Sequence, residues 1–332
     1  MRPDFLIPLD PPVRKGAAPT CSSFDVCFAF GLGALAASFM QGTERERRHM
    51  SIKGRRWDAE GDQIPLYLYK YRHLETDDPS QHARDALLNR ARDLLVHGQV
   101  WIASTDSLND LHDMRFNVEQ SSDPKVIDRW LAANAHLLRH MPPARRIALR
   151  EVLRRRKLLP NDIAEFRASM EKAMGVFCAS QDPRNEPMWA HYAADHKGFC
   201  VQFDTSRDEL FLLAEKAIYT STFPTITLPH ADRRDSLRGH LSKSTAWSYE
   251  REWRVVVPQN NFGIRLRSDA IAGVILGAKA SERTRDAIHT FNLERKNAGY
   301  RPFNLYQARQ HRDRFGMCIS KVKAVVLPNS HL

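Results

Sequence analysis

The group of residues best suited to chemistry in this chain of 332 residues is the segment 247–254, which reads WSYEREWR. If the segment is a β-strand, successive side chains point to opposite faces. Glu250, Glu252 and Arg254 then share one face, and the aromatic residues share the other. Two carboxylates at this spacing couple electrostatically, so one of them can acquire a raised pKa. Such a pair suits general-base work, or hydrogen bonding to a ribose while a nearby cation is stabilised.

The same charges also fit a purely structural arrangement. The two glutamates can pair with Lys243 and Arg254 in a ladder of ion pairs that only holds strands together. Both interpretations stay open, and Glu252 is favoured as the catalytic carboxylate if the pair reacts. The aromatic side of the segment predicts that Trp247 and Trp253 are buried in the core.

A second group of polar-tipped rings lies in residues 185–198, NEPMWAHYAADHKG. Trp189 and Tyr192 are candidates for contact with a ligand. His191 and His196 are five residues apart, so on one helix their side chains diverge by about 140°. That spacing is poor for zinc, and neither a CxxC nor an HExxH motif accompanies it. We expect no metal there.

A third group, SLNDLHD at residues 107–113, contains the oxygen and nitrogen ligands that a cation could use. These are Asn109, Asp110, His112 and Asp113. Loop carboxylates more often cap turns than bind metals, so we expect caps here as well. The chain also has no GxGxxG, Walker A, GxSxG or kinase motif, which disfavours the nucleotide-handling folds with strong fingerprints.

The elements that must position these groups are short strands with irregular connections. Alternation and aromatic content predict strands at residues 66–72, 99–103, 175–180, 199–203, 217–220, 250–257, 272–276, 303–308 and 316–320. Helical spacing predicts a helix that Gly98 ends, and others at 188–194, 232–246 and 281–296. The pattern favours an α+β fold with a mixed, mostly antiparallel sheet over a regular βαβ array.

The chain is predicted to divide into an irregular, poorly ordered head at residues 1–60 and one α+β domain at 61–325. Residues 124–174 predict an inserted block of helices, broken at the prolines 142–143 and at Pro160. The longest apolar run, residues 26–40, is shorter than the roughly 18 residues that span a bilayer. We therefore expect no membrane partner.

The net charge of +11 is concentrated in the helical block, where eight basic residues and one acid lie between Arg139 and Lys157. Arg146, Arg150 and Arg154 recur at every fourth position and form one stripe on a helix. Such a stripe attracts phosphate-bearing partners, which makes nucleic acid a candidate ligand. A solvated helix face is the alternative.

The five cysteines are odd in number, widely spaced and without a CxxC motif. In a chain of this length these features favour reduced thiols and a cytoplasmic location.

Seven pieces of sequence occur together in one order. They are YKYR (69–72), LND (108–110), FCAS (177–180), MWAHYAADHKGFCVQFD (188–204), the tyrosine of IYT (Tyr219), KSTAWSYEREWR (243–254) and GVILGAK (273–279). On these motifs the chain resembles the bacterial family catalogued as domain of unknown function 2971, over about residues 65–320. One departure is Leu111, which stands where the family has a proline. The family name implies no activity.

Three further features are similar in their order to those of ADP-ribosyltransferase-like enzymes, which use NAD. These enzymes have an arginine on an early strand, a serine at a later strand end and a Glu-x-Glu strand. The corresponding residues here are Arg72, Ser180 and Glu250-Arg251-Glu252. The resemblance implies that arginine holds the pyrophosphate or the ribose, serine supports the nicotinamide ribose and glutamate stabilises the oxocarbenium-like centre. The expected substrate contacts are Tyr192, Trp189, Ser180, Tyr249, Arg254 and Lys243.

An enzyme of this kind would suit a role in phage defence or as a toxin. Two other functions stay open at the level of the sequence. One is a non-enzymatic nucleic-acid-binding module that uses the basic stripe. The other is a metal-dependent nuclease that uses Asp110, Asp113, Glu250 and Glu252, although Trp253 and Arg254 stand where a nuclease would place its lysine.

Overall fold

A computed structural model describes residues 58, 61–76, 78, 80–121, 123–133, 135–139, 141–155, 159–229 and 233–322. The predicted head, residues 1–60, lies outside this part of the chain apart from Asp58, and so does the apolar run 26–40. The three described cysteines, Cys178, Cys200 and Cys318, are free thiols. Within the described ranges, no helix is both long enough and apolar enough to cross a membrane.

The described part of the chain has eight α-helices. They are α1 (Gln81–Leu95), α2 (Pro124–Ala133), α3 (Ala135–Leu138), α4 (Pro143–Arg155), α5 (Pro160–Ala173), α6 (Glu186–Tyr192), α7 (Arg233–Leu241) and α8 (Glu282–Asn297). Helices α2 to α5 form the predicted helical block, with breaks at the predicted prolines. Gly98 ends the α1 segment as predicted, because its φ of 70° is a left-handed conformation that glycine adopts without steric cost.

The same part of the chain has fourteen strands. They are β1 (Tyr67–Arg72), β2 (Gln99–Ser104), β3 (Asn117–Gln120), β4 (Gly175–Ser180), β5 (Phe199–Asp204), β6 (Ala214–Lys216), β7 (Ile218–Thr220), β8 (Thr225–Leu228), β9 (Ser242–Ser244), β10 (Glu252–Val257), β11 (Phe262–Arg265), β12 (Ile271–Leu276), β13 (Asn304–Gln310) and β14 (Met317–Lys321).

Ten of these strands form one mixed, mostly antiparallel sheet, which confirms the predicted α+β class. Its main path runs β11-β2-β4-β1-β5-β12-β13-β14, and β10 pairs with both β4 and β6. Within this sheet β12 and β13 are parallel. Two small parallel pairs, β3 with β8 and β7 with β9, lie outside it.

Strand β4 is the point at which the sheet divides. Strand β10 pairs with one edge of β4 along its whole length. On the other edge, β2 pairs with the beginning of β4 at Gly175 and Val176, and β1 pairs with its end at Ser180. The middle of that edge therefore faces a gap between β1 and β2.

One face of the sheet carries the largest hydrophobic cluster, in which α1 and α8 cover the strands. Leu68, Ile102, Phe177 and Trp253 from four of the strands point into this cluster. Because side chains alternate along a strand, their sequence neighbours point to the opposite face.

The opposite face carries two separate clusters. The helical block and α7 cover one region of it, where Trp130 and Met170 pack with Val176 and Val256. Helix α6 covers another region, where Trp189 packs with Tyr71. Between the two regions lies the mid-strand gap of β4.

Two predicted elements have different bounds in the structure. The predicted strand 250–257 begins only at Glu252, because Thr245–Glu250 form a 3-10 helix and Arg251 adopts a left-handed conformation with a φ of 46°. The predicted helix 232–246 ends at Leu241, where β9 begins. The segment 247–254 is therefore a turn followed by a strand. Trp253 is buried as predicted, whereas Trp247 is only half-buried.

Candidate functional site

A cavity of about 270 Å³ lies where β1 and β2 separate from β4. Its wall combines sheet residues with side chains from α6, from β9 and from the loop after β2. The lining residues are Tyr69, Lys70, Tyr71, Arg72, Trp101, Ala103, Ser107, Leu108, Asn109, Asp113, Val176, Cys178, Ala179, Ser180, Met188, Tyr192, Lys243, Glu250 and Glu252. Ligand sites have volumes of roughly 300–1,000 Å³, so the cavity is near the lower end of that range.

The strand registers place Cys178 at the centre of the gap. Ala103 pairs with Val176 on β4, so continuation of β2 in the same register sets Trp101 across from Cys178. Tyr69 pairs with Ser180, so continuation of β1 sets Tyr71 across from the same residue. Strands β1 and β2 cannot both pair with Cys178 on the same edge of β4. They separate there, and the space between them is the cavity.

Lys70 occupies part of this gap. Its Nζ donates to the backbone oxygen of Cys178 at 2.5 Å, at the point where neither β1 nor β2 pairs with β4. The ammonium also lies 5.2 Å from the centre of the Phe177 ring. Burial, and secondarily the charge of Arg72, lower the pKa of Lys70 to about 8.

The turn before β10 brings the two predicted glutamates together. The left-handed residue Arg251 separates the 3-10 helix from the strand, yet the carboxylates of Glu250 and Glu252 converge on the same cation. The hydroxyl of Tyr219 accepts the backbone N–H of Glu252 at 2.8 Å, which fixes the first residue of β10. The sequence predicted that Glu250 and Glu252 share one face of a strand. In the structure a turn, rather than strand alternation, brings their side chains together.

Lys243 on β9 is the cation at the centre of this cluster. Its Nζ lies 2.5 Å from Oε2 of Glu250, 3.1 Å from Oε2 of Glu252 and 3.7 Å from Oδ2 of Asp113. All four side chains are almost fully buried. Removal of one partner from such a buried ion pair costs several kcal/mol, about 3–5, because it leaves the other charge uncompensated.

Arg254 completes the cluster beneath the cavity wall. It is fully buried, and its guanidinium donates to Asp113 at 2.8 Å, to Glu252 at 3.1 Å and to the backbone oxygen of His240 at 2.8 Å. The cluster therefore holds three carboxylates and two cations, which leaves one excess negative charge when Glu250 is ionised. Arg254 does not line the cavity, so its role is to hold Glu252 and Asp113.

The two glutamates have opposite pKa shifts. Burial raises the pKa of Glu250, and the single neighbouring cation, Lys243, only partly offsets that effect. Burial also acts to raise the pKa of Glu252, but Arg254 and Lys243 outweigh it and hold that pKa far below its usual range. Burial acts to lower the pKa of Lys243, and the two carboxylates outweigh it and raise that pKa. Glu250 is therefore the carboxylate that can exchange a proton.

Tyr192 on α6 connects Glu250 to the loop after β2. Its hydroxyl donates to Oε1 of Glu250 at 2.6 Å and accepts from Nδ2 of Asn109 at 2.9 Å. Burial and the hydrogen bond to Glu250 raise the pKa of this tyrosine. The structure thus joins Tyr192, a predicted ligand contact, directly to Glu250.

The other predicted site residues lie at different depths. Ser180 is buried, and its hydroxyl donates to the backbone oxygen of Glu250 at 2.6 Å. Arg72 is exposed at the cavity. Tyr249 and Trp189 do not line the cavity: Trp189 is fully buried against Tyr71, and the backbone oxygen of Tyr249 accepts from Asn185.

In the third predicted group, Asp110 has the predicted capping role, whereas Asp113 belongs to the buried charge cluster. Asp110 accepts the backbone N–H of His112 at 2.9 Å, and Asp113 is held by Arg254. The described ranges contain no group of three or more His, Cys, Asp or Glu side chains arranged to hold a metal ion. Where Asp113, Glu250 and Glu252 approach one another, the ammonium of Lys243 occupies the centre.

The predicted basic stripe lies on α4 and is partly neutralised. Arg150 pairs with Asp128 of α2 at 2.6 Å, and Arg154 lies 3.6 Å from the same carboxylate. Arg145 and Arg146 are exposed. The stripe thus contributes fewer free charges than its sequence indicates.

The sequence did not single out Trp101 or Lys70 as site residues. Trp101 alternates with the buried Val100 and Ile102, a pattern that predicts a position off the main core. Lys70 lies inside the YKYR motif, but only the gap in the sheet shows that its ammonium reaches β4.

The chain matches no family model, no curated protein and no solved structure. Its resemblance to the domain-of-unknown-function family therefore stays a prediction.

Proposed function

We propose that the protein is an ADP-ribosyltransferase-like enzyme that breaks the bond between nicotinamide and ribose in NAD. The observation that carries this proposal is the meeting of Glu250, Lys243 and Tyr192 at the wall of a cavity in which β1, β4 and β10 are neighbours. Strands β1 and β4 carry the arginine and the serine of the resemblance, and of its two glutamates Glu252 begins β10 while Glu250 lies in the turn before it. Membership of the domain-of-unknown-function family is part of the same proposal.

The charge of the site suits a cationic reacting centre. Cleavage of NAD develops positive charge on the ribose, and the excess negative charge of the buried cluster stabilises it. Because the cluster is already fixed by its own salt bridges, little reorganisation is needed when that charge appears.

Glu250 rather than Glu252 is the carboxylate that acts on the substrate in this proposal. Glu252 is held by Lys243 and Arg254 and by its backbone bond to Tyr219. Glu250 has one cationic partner and a tyrosine, and its raised pKa favours proton exchange. Glu252 then positions Lys243 and keeps the cluster charged.

The reaction step conserves atoms and electrons as follows. The bond between C1′ of the ribose and N1 of the nicotinamide ring breaks, and nicotinamide leaves as a neutral molecule with the bonding electron pair. Water, or a hydroxyl or amine of an acceptor, forms the new bond to C1′. Its proton passes to Glu250 and then to solvent.

The nuclease alternative is less compatible with the geometry. A two-carboxylate metal site needs its centre free for the ion. Here the ammonium of Lys243 lies there, within 3.1 Å of both glutamates.

The test is the release of nicotinamide from NAD by the wild-type chain and by Glu250→Gln. The substitution keeps the shape of the side chain and removes the carboxylate, and we expect turnover to fall by about 100-fold or more. Glu165→Gln is the matched control, because Glu165 is exposed on α5 and does not line the cavity. Equal turnover in Glu250→Gln and wild type contradicts the assignment of Glu250.

No release of nicotinamide by the folded wild-type chain, with and without protein acceptors, contradicts the proposed reaction itself. A role in phage defence or as a toxin would act through loss of cellular NAD. The NAD content of cells that express wild type or Glu250→Gln tests that role.

Nucleic-acid binding by α4 is a second candidate function, favoured by the adjacent exposed side chains of Arg145 and Arg146. It is compatible with the first, because α4 does not line the cavity. A nucleic acid bound there would be a partner or an acceptor.

A further inference from the structure

Trp101 is a large aromatic residue at the cavity that the proposed reaction does not use. Its exposed fraction is 52%, although it lies in the middle of β2. A tryptophan normally buries most of its ring, so an exposed indole beside a cavity indicates a surface that a ligand can cover.

The indole has no large cross-strand neighbour on either flank, although the side chain of Gln99 lies over Gly263 on one of them. Its cross-strand neighbour on β11 is Gly263, which has no side chain to pack on the ring. On the other flank lies the gap between β2 and β1, and two residues along the same face is the small Ala103. No ring or cation of the described residues stacks on Trp101.

Strand β1, on the other side of the gap, supplies positive charge. Lys70 and Arg72 on β1 both line the cavity, and they leave the strand on the sheet face of Leu68. Trp101 leaves β2 on the other face, so a ligand that contacts all three side chains passes through the gap in the sheet. Within the part of the chain that the structure describes, neither cation of β1 forms an ion pair, in contrast to Lys243 and Arg254. Strand β2 thus supplies an aromatic plane at the gap, and strand β1 supplies two cations.

We propose that this gap is a nucleotide subsite in which Trp101 stacks on the adenine ring and Lys70 and Arg72 bind the phosphates. The assignment rests on the proposed function for the identity of the ligand, the ADP half of NAD. The reacting ribose then extends past Cys178 toward Glu250, which lines the same cavity. Stacking on an aromatic plane and charge-assisted hydrogen bonds to phosphate are the interactions that this chemistry provides.

The probe is ADP-ribose, which has both phosphates and the adenine but no bond to nicotinamide. Its binding to the full chain is measured by calorimetry and by quenching of tryptophan fluorescence. Of the other described tryptophans, Trp130, Trp189 and Trp253 are buried and Trp247 is half-buried away from the cavity lining. Trp57 lies outside the described residues, so quenching by ADP-ribose is assigned to Trp101 where it is lost in Trp101→Phe.

We expect Trp101→Ala to raise the Kd for ADP-ribose about tenfold or more. Trp101→Phe keeps an aromatic plane, so calorimetric binding is largely retained while the quenching is lost. Phe315→Ala, which removes another exposed ring far from the cavity, is the matched control and leaves both signals unchanged. A thermal melt of each variant verifies that the protein is folded.

Three results would overturn the subsite. They are unchanged affinity in Trp101→Ala, quenching that persists in Trp101→Phe, and quenching by nicotinamide but not by ADP-ribose. Failure of the proposed reaction looks different: ADP-ribose then binds with the expected dependence on Trp101, but NAD is not cleaved. Cleavage of NAD with an unchanged KM in Trp101→Ala keeps the reaction and removes the subsite.

Discussion

The ammonium of Lys243 lies 2.5 Å from Glu250 and 3.1 Å from Glu252, so one buried cation holds both carboxylates of the segment 247–254. The two contacts are not equivalent. Glu252 also receives Arg254, whereas Glu250 receives Tyr192 and lies beside the cavity. This asymmetry assigns a structural role to one glutamate and a reactive role to the other, and each role predicts a different effect of substitution.

Glu252→Gln is expected to destabilise the fold by about 3–5 kcal/mol, because it leaves Arg254 buried beside a neutral amide. Because the pKa of Glu252 is depressed in the folded protein, its carboxylate stabilises the fold in its ionised form. This stabilisation is fully present above pH 4.5, the usual pKa of the group, and is lost as the pH falls toward the folded-state pKa. Urea unfolding of wild type and variant at pH 7 measures the difference.

Glu250→Gln serves as the comparison for the same experiment. We expect a smaller loss, on the order of 1 kcal/mol, because the pKa of Glu250 is already raised and a neutral side chain is tolerated there. Equal losses in the two variants would contradict the division of roles.

The two tryptophans of the segment give a second prediction about stability. Trp253 is buried in the main core with its Nε1 donating to Gln181, so Trp253→Ala should cost about 3–5 kcal/mol. Trp247 is half-buried with the Lys243 ammonium 5.3 Å from its ring, so Trp247→Ala should cost about 1–2 kcal/mol. Thermal unfolding of both variants would show the difference, and a continuous strand with both rings buried predicts equal losses instead.

The sequence predicted the α+β class, the helical block and most strand positions, because alternation and helical spacing are local signals. It also placed Glu250, Glu252, Lys243 and Arg254 in one cluster. It missed the turn before β10, since a left-handed Arg251 has no signal in residue type when glycine is absent.

The cavity itself was outside the reach of the sequence. It exists because β1 and β2 both pair with one edge of β4. In the sequence, β1 and β2 are about thirty residues apart, and β1 and β4 are about a hundred residues apart. No periodicity encodes such a pairing. Trp101 and Lys70 became site residues only through this division of the sheet.

His240 predicts how stability changes with pH. It is fully buried, and neither ring nitrogen has a hydrogen-bond partner in the described part of the chain. Burial, and secondarily Arg254, lower the pKa of His240 to about 4 from an ordinary value of 6.5. The unfolded chain therefore binds a proton first as the pH falls from 6.5 to 4, and stability falls in this window by on the order of 3 kcal/mol.

The measurement is the free energy of unfolding between pH 7 and 4 for wild type and His240→Phe. The phenylalanine does not titrate, so the part of the slope that comes from this site should disappear. The same slope in both proteins would show that other groups cause the acid sensitivity.

The basic helix α4 predicts a graded effect on nucleic-acid binding. Arg145→Glu/Arg146→Glu removes two exposed charges and should weaken RNA binding and flatten its dependence on salt. Arg150→Glu also leaves Asp128 without its partner, a surface pair worth about 0–1 kcal/mol. Arg283→Glu/Lys296→Glu on α8, which also reverses two exposed basic residues, is the control for net charge. Absence of salt-sensitive RNA binding in the wild type would make the stripe a solvated face.

Lys70 predicts how binding of an anionic ligand changes with pH. Its pKa of about 8 means that the ammonium loses its proton just above neutral pH, as burial and Arg72 both disfavour the charge. Affinity for ADP-ribose should therefore fall as the pH rises above 8, by up to about tenfold per pH unit. In Lys70→Arg the guanidinium stays charged over this range, so the affinity should stay level. Calorimetric titrations of wild type and Lys70→Arg at several values between pH 7 and 9.5 provide the comparison. A parallel decline in both proteins would place the titrating group elsewhere, and no decline in either would show that the ammonium of Lys70 does not contact the phosphates.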